Sequence, residues 1–149
     1  MTASPRSARA VLVALLLALG LLAGCTNETP ATPDATRTPD AGVGVVTTDE
    51  AGVQEITLET GDDYVFTPNT FTVAPGVVRL TVTNTATQLT HNFLFTEGAG
   101  VEDISEQIPL LAPGDSQTIE FTVTTPGDHP FECSFHTALG QVGTMTVSG

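Results

Sequence analysis

The 149-residue chain has no lysine and no tryptophan, one tyrosine, two cysteines, and two methionines of which one is the initiator. The absence of lysine has the widest consequence. After residue 25 only Arg37 and Arg79 are basic, while all seventeen acidic residues lie there, so that part carries a net charge near −15 with histidine neutral. Such a surface argues against nucleic acid or anionic lipid as a partner. It serves either to steer the protein towards a basic partner or to keep it soluble in salt. Long hydrophobic runs are scarce too. The apolar run from Val11 to Leu22 is shorter than the roughly 20 residues that span a membrane.

That run has a different use. Arg6 and Arg9 precede it, as in the charged start and apolar middle of a secretory signal. It ends in Leu22-Ala23-Gly24-Cys25, which resembles the bacterial lipobox, with small residues at both positions before the cysteine. The resemblance implies a lipoprotein signal peptide over residues 1–24. Cys25 would then be the lipidated first residue of a protein anchored to the cell membrane on its extracytoplasmic side. An ordinary cleaved signal with a stray cysteine is the alternative. With lipid on Cys25, Cys133 has no disulfide partner, and a lone thiol in an exported protein needs a reason. A metal bond is such a reason. A Cys25–Cys133 disulfide would tie a flexible terminus into a core strand.

Residues 25–52 are rich in Thr, Pro, Asp, Ala and Gly, with almost no large apolar side chain before Val43. Such a segment buries too little surface to fold. It reads as a lipid-anchored tether spanning roughly 30 Å as a flexible coil. From Val53 to Gly149 the pattern changes to alternation. Apolar residues recur at every second position in Ile56/Leu58, Phe71/Val73, Val78/Leu80/Val82, His91/Phe93/Phe95, Ile119/Phe121/Val123, Phe131/Cys133 and Met145/Val147. Period two marks strands with one buried face. Turn-forming clusters separate them, including Ala74-Pro75-Gly76, Ala112-Pro113-Gly114-Asp115 and Thr125-Pro126-Gly127-Asp128. Glu97 to Ile108 reads as a loop or one short helical turn. Seven or so short strands predict an all-β, two-sheet Greek-key sandwich with one core.

The chemistry concentrates near the end, in Phe131-Glu132-Cys133-Ser134-Phe135-His136 followed by Leu139-Gly140-Gln141. His91 lies about forty residues upstream in Thr90-His91-Asn92-Phe93. One thiolate and two imidazoles with a weak fourth ligand suit copper in an electron-transfer centre. Zinc accepts the same three but prefers a firm fourth donor. Each residue alone has a plainer use: His91 as a core histidine, Cys133 as an inert buried thiol, His136 as a solvated loop residue.

Laid out in this order, residues 53–149 resemble a cupredoxin, the fold of small blue copper proteins. The resemblance rests on Phe66-Thr67-Pro68-Asn69-Thr70-Phe71-Thr72-Val73-Ala74-Pro75-Gly76, on His91-Asn92, and on Pro126-Gly127-Asp128-His129-Pro130-Phe131-Glu132-Cys133-Ser134-Phe135-His136. It implies a cupredoxin-like sandwich holding one copper ion that cycles between Cu(I) and Cu(II). It implies a monomer that carries electrons for a redox partner at the membrane and is not an enzyme. The metal ligands would be His91, Cys133 and His136. Many family members place methionine five residues after the second histidine; Gln141 stands there, which resembles the stellacyanin type. Met145 is the rival axial donor, though its parity fits core packing. Asn92 would hydrogen-bond to Ser134 or to the thiolate. His129 stands where the family often has tyrosine and is expected to be exposed or half-buried, with a second metal site as the lesser alternative. Phe135, Ala138 and Leu139 would surround His136 where a partner docks. The alternative function is extracytoplasmic copper binding for delivery or storage, although Met-rich and His-rich stretches that would favour transport are missing. A metal-free interaction domain is a third reading, disfavoured by the intact Cys/His/His set.

Overall fold

The computed structural model describes residues 40–149. The expected leader, Cys25 and most of the expected tether lie outside the described residues. Ten strands are present among the described residues: β1 Thr47–Thr48, β2 Gln54–Thr60, β3 Phe66–Thr67, β4 Thr70–Val73, β5 Gly76–Asn84, β6 His91–Phe95, β7 Gln107–Leu111, β8 Ser116–Val123, β9 Gly127–Glu132 and β10 Val142–Val147. They form two sheets. The first runs β1-β2-β5-β8 with β3 also on β2, and the second runs β4-β10-β9-β6-β7. Pairing is antiparallel except for β2 with β5 and β4 with β10. The described residues form an all-β Greek-key sandwich, and the alternation accounts for its one-sided strands. No helix among the described residues is long and apolar enough to cross a membrane.

The alternating stripes become the facing inner surfaces. Leu58, Val78, Leu80, Val82 and Val123 of the first sheet are fully or almost fully buried, as are Phe93, Phe131, Cys133 and Met145 of the second. Phe131 is the hub. Its ring centroid lies 5.0 Å from Phe93, 5.4 Å from Phe66 and 5.9 Å from Phe71. Contacts of this kind contribute roughly 0.5–1.5 kcal/mol each beyond area burial. Gly143 makes room for that ring: a Cβ there would overlap Phe131 and the Asn69 carbonyl.

Two local features depart from expectation. The first lies at the end of Glu97–Ile108: the stretch is a loop, one of its two expected forms, but its last residues, Gln107 and Ile108, open a strand. Turns and bends occupy residues 97–102, and irregular chain follows until β7 starts at Gln107. β7 is hard to see in sequence because it carries one extra residue: His91 pairs with Leu111 but Phe93 pairs with Ile108. That bulge buries Ile108 and Leu111, three residues apart, and breaks the period of two. Pro109 is tolerated because β7 is an edge strand, paired only with β6. The second is at the N-terminal side, where ordered structure precedes Val53: Thr47 and Thr48 pair with Glu55 and Gln54.

The turns behave as their residues dictate. In Ala112–Asp115 the Asp115 amide donates to the Ala112 carbonyl at 3.0 Å, and Gly114 adopts φ +83° after Pro113. On the outer face of the first sheet, Arg79 sits directly between Glu55 and Glu120 in register. Its guanidinium reaches Glu55 at 2.6 Å, Glu120 at 2.9 Å and Asp49 at 3.7 Å. It is the sole Lys or Arg among the described residues.

Candidate metal centre

Three segments of the sandwich meet at one end. β6 begins with His91, Cys133 directly follows β9, and the loop from β9 to β10 carries His136 and Gln141. That loop is built from its own backbone. The His136 amide donates to the Cys133 carbonyl at 3.0 Å, and the Cys133 amide donates to the Gln141 carbonyl at 3.0 Å. A 3-10 turn over Thr137–Leu139 closes at Gly140, whose φ of +89° suits glycine. The loop therefore folds His136 and Gln141 back over Cys133.

Four donor atoms converge. Gln141 Oε1 lies 3.0 Å from His91 Nδ1 and 3.1 Å from His136 Nδ1. Cys133 Sγ lies 3.5 Å from His136 Nδ1 and 3.9 Å from His91 Nδ1. His91, Cys133 and His136 make up the one cluster of metal-ligating type among the described residues. A proton on either Nδ1 serves Oε1 but still leaves lone pairs facing one another. A single soft cation between them satisfies all four, so the residues fit copper. His91, Cys133 and Gln141 are fully buried; His136 is partly exposed at the rim.

Electrostatics suit the same role. Burial pushes the His91 pKa below its ordinary value, and the neighbouring His136 adds to that, against the hydrogen bond that the ring donates to Gln141 Oε1. The imidazole is thus held neutral, the form that can ligate. Neighbouring bonds fix the donors. Asn92 donates its backbone N–H to Cys133 Sγ at 3.5 Å. Its side chain donates to Ser134 Oγ at 2.7 Å and accepts from the Ser134 amide at 2.8 Å, so β6 is pinned to the start of the ligand loop.

Other residues were not legible in the sequence. Thr60, buried at the end of β2, accepts from Gln141 Nε2 at 2.6 Å. This bond turns the amide so that Oε1 faces the cluster. Tyr64 stands edge-on to the His136 ring at a centroid distance of 5.0 Å, with a left-handed φ of 59°. Neither belongs to a recognisable ligand spacing; both are brought in by sheet pairing. Met145 is buried in the core, opposite Phe71 and His129 in register. His129 corrects an expectation. It is 1% exposed rather than exposed or half-buried, because it shares the inward parity of Phe131 and Cys133. Neither of its ring nitrogens has a hydrogen-bond partner. Phe135 and Leu139 are both exposed beside His136, and the Phe135 ring lies 6.4 Å from the His136 ring.

Comparison with known proteins agrees with this geometry. Residues 53–148 match the family model of copper-binding proteins of the plastocyanin/azurin family. The chain belongs to that family of cupredoxins, copper-binding electron-transfer proteins rather than enzymes, with one copper ion as cofactor. Among its relatives, plastocyanin of Cucumis sativus is 37% identical over 97 residues, 59% of this chain and 94% of that protein. The chloroplastic plastocyanin minor isoform of Arabidopsis thaliana is 34% identical over 109 residues, 69% of this chain but only 63% of that protein. Among solved structures, dithionite-reduced auracyanin from the photosynthetic bacterium Roseiflexus castenholzii is similar with a TM-score of 0.58 and 28% identity. That alignment covers 64% of this chain and 97% of the auracyanin.

Proposed function

We propose that the protein is a membrane-tethered carrier of single electrons outside the cytoplasm. His91 Nδ1, His136 Nδ1 and Cys133 Sγ would hold the copper ion, with Gln141 Oε1 as a weaker fourth donor. Bound copper supplies one-electron exchange between Cu(I) and Cu(II). The observation that carries the reading is the convergence of these four atoms from a rigid sandwich, with three of the four residues fully buried. Donors pinned by Asn92, Ser134 and Thr60 resist movement when the charge at their centre changes. A small rearrangement is what fast electron exchange requires.

His136 is the ligand that reaches the rim, and Phe135 and Leu139 form an exposed apolar patch around it. A monomer would dock its redox partner there, where electrons have the shortest path to the metal. The tether reading rests on Leu22-Ala23-Gly24-Cys25 and on the Pro/Thr-rich stretch after it. Lipid on Cys25 would hold the domain at the outer face of the membrane, with residues 1–24 removed.

The test is a visible and EPR spectrum of residues 26–149 after addition of Cu(II), beside Cys133→Ser. An intense thiolate-to-copper band that the variant lacks supports the carrier. A colourless protein that loses copper on gel filtration overturns it and favours copper delivery or storage. Mass spectrometry of the membrane fraction from expressing bacteria tests the anchor: a diacylglyceryl mass on Cys25 is expected, and an unmodified Cys25 rejects it.

A further inference from the structure

The four converging side chains of the metal centre are not held alike. His91, Cys133 and Gln141 are fully buried, and Thr60 turns the Gln141 amide. His136 is the partly exposed member. Its Nδ1 faces Cys133 Sγ at 3.5 Å and Gln141 Oε1 at 3.1 Å. A metal-binding histidine is commonly oriented by a hydrogen bond from its other ring nitrogen. Among the described residues none bonds to His136 Nε2, so the outer edge of this ring lacks that restraint. Other rings bound it instead. The His91 ring lies 4.9 Å away and the Tyr64 ring 5.0 Å away, both edge-on, with Phe135 further off at 6.4 Å.

Tyr64 is the only non-glycine among the described residues with a positive φ, +59°. In the left-handed region Cβ crowds the following carbonyl oxygen, so a bulky residue there is strained, whereas glycine is not. The strain persists because the connection from β2 to β3 is held at several points. The Tyr64 amide donates to the Gly61 carbonyl at 3.4 Å, and the Val65 amide donates to Asp63 Oδ1 at 3.3 Å. Asp62 Oδ2 accepts from the Thr87 amide at 2.9 Å and from the Thr87 hydroxyl at 2.7 Å, which ties this connection to the one between β5 and β6. A side chain kept in a sparsely populated backbone conformation beside a functional site points to a role there. The ring contact that Tyr64 makes is with His136.

We propose that Tyr64 is a positioning residue for electron transfer: its ring braces the His136 imidazole at the rim, so that this ligand keeps one orientation when the charge at the centre changes. The proposal rests on the electron-carrier reading. The end of β2 and the connection after it then steady two residues of the β9–β10 loop, Gln141 through Thr60 and His136 through Tyr64. The brace falls on the one ligand that burial leaves free to turn.

The experiment compares Tyr64→Gly and Tyr64→Asn, which remove the ring, with Tyr64→Phe, which keeps it. Glycine and asparagine both accept a left-handed backbone, so the ring-free variants relieve the strain and are expected to fold. Carbon-13 NMR relaxation of the histidine rings is measured first in the apoprotein. Faster motion of the His136 ring is expected in both ring-free variants, with His91 unchanged and Tyr64→Phe like the parent. Electron self-exchange is then read from NMR line broadening in mixtures of the Cu(I) and Cu(II) proteins. It is expected to slow about tenfold without the ring and to stay within about twofold of the parent in Tyr64→Phe. Unchanged His136 relaxation overturns the brace, and a freer ring with unchanged exchange overturns its part in electron transfer. Tyr64→Phe behaving like Tyr64→Gly would place the effect in the hydroxyl and also overturns it. A parent that lacks the thiolate-to-copper band counts against the carrier reading, while relaxation of the apoprotein still decides whether Tyr64 holds His136.

Discussion

Two buried histidines of the second sheet, His91 and His129, meet opposite fates. His91 has its Nδ1 within 3.0 Å of Gln141 Oε1 and faces a thiol and a second imidazole. His129 is as deeply buried, yet neither nitrogen is engaged by protein. Parity explains the burial of both, since alternation alone decides which side chains point inward. What differs is which loop covers each end of the sandwich. The loop over His91 returns three donors within nine residues, Cys133 to Gln141. The loop over His129 brings carboxylates and a glycine but no group that reaches the ring. An inward histidine in a strand is thus only half of a site; the covering loop decides the chemistry.

The sharpest way to break this comparison is at the thiolate. Cys133→Ser is expected to eliminate the intense visible band of the copper-loaded protein, while His129→Phe leaves it unchanged. Absorption spectra of the two variants decide this, and a band persisting in Cys133→Ser would mean that copper is held elsewhere. Next comes Gln141, the proposed fourth donor. An amide oxygen is harder than a thioether and favours Cu(II), so Gln141→Met is expected to raise the reduction potential. Protein-film voltammetry reads the shift, and an unchanged potential removes Gln141 from the metal.

Smaller effects separate positioning from ligation. Thr60→Val leaves Gln141 Nε2 buried and unpartnered, at an expected cost of about 1–3 kcal/mol in urea unfolding of the apoprotein. It should also broaden the EPR signal, because the amide is no longer held with Oε1 inward. Asn92→Ala removes the paired bonds to Ser134 and is expected to destabilise by about 1–2 kcal/mol. The smallest effect lies at the His129 end. Hydrogen bonds from Thr124 and Thr125 lower the Glu102 pKa from 4.5 to about 2. The folded-state value lies below the unfolded one, so this stabilisation is complete above about pH 4.5 and fades as pH falls towards 2. Glu102 is close to the surface, and solvent keeps the effect modest. Thermal melts of Glu102→Gln should show a weaker dependence on pH across that window than the parent.

How much was readable in advance follows from the same physics. Strands such as Val78–Val82 and Ile119–Val123 announce themselves because one clean face is buried. β7 does not, since its bulge puts Ile108 and Leu111 out of phase and Pro109 argues against a strand. His91, Cys133, His136 and Gln141 were singled out by residue type and order, and the fold brings them together. Thr60 and Tyr64 were invisible, because they approach from the first sheet and its β2–β3 connection and share no spacing with the loop. The burial of His129 was legible from its parity with Phe131 and Cys133, a signal overruled by the expectation of a surface polar residue.

Arg79 carries a practical consequence. Trypsin cuts after lysine or arginine, and the described part of the chain offers it this one residue. Arg79 lies in a strand hydrogen-bonded on both sides, so the protease cannot thread that backbone while the sheet is intact. Scission at Arg79-Leu80 therefore reports unfolding of the sandwich itself. A timed digest with and without copper would measure, by the appearance of the fragment that begins at Leu80, how far the metal slows the opening of the domain.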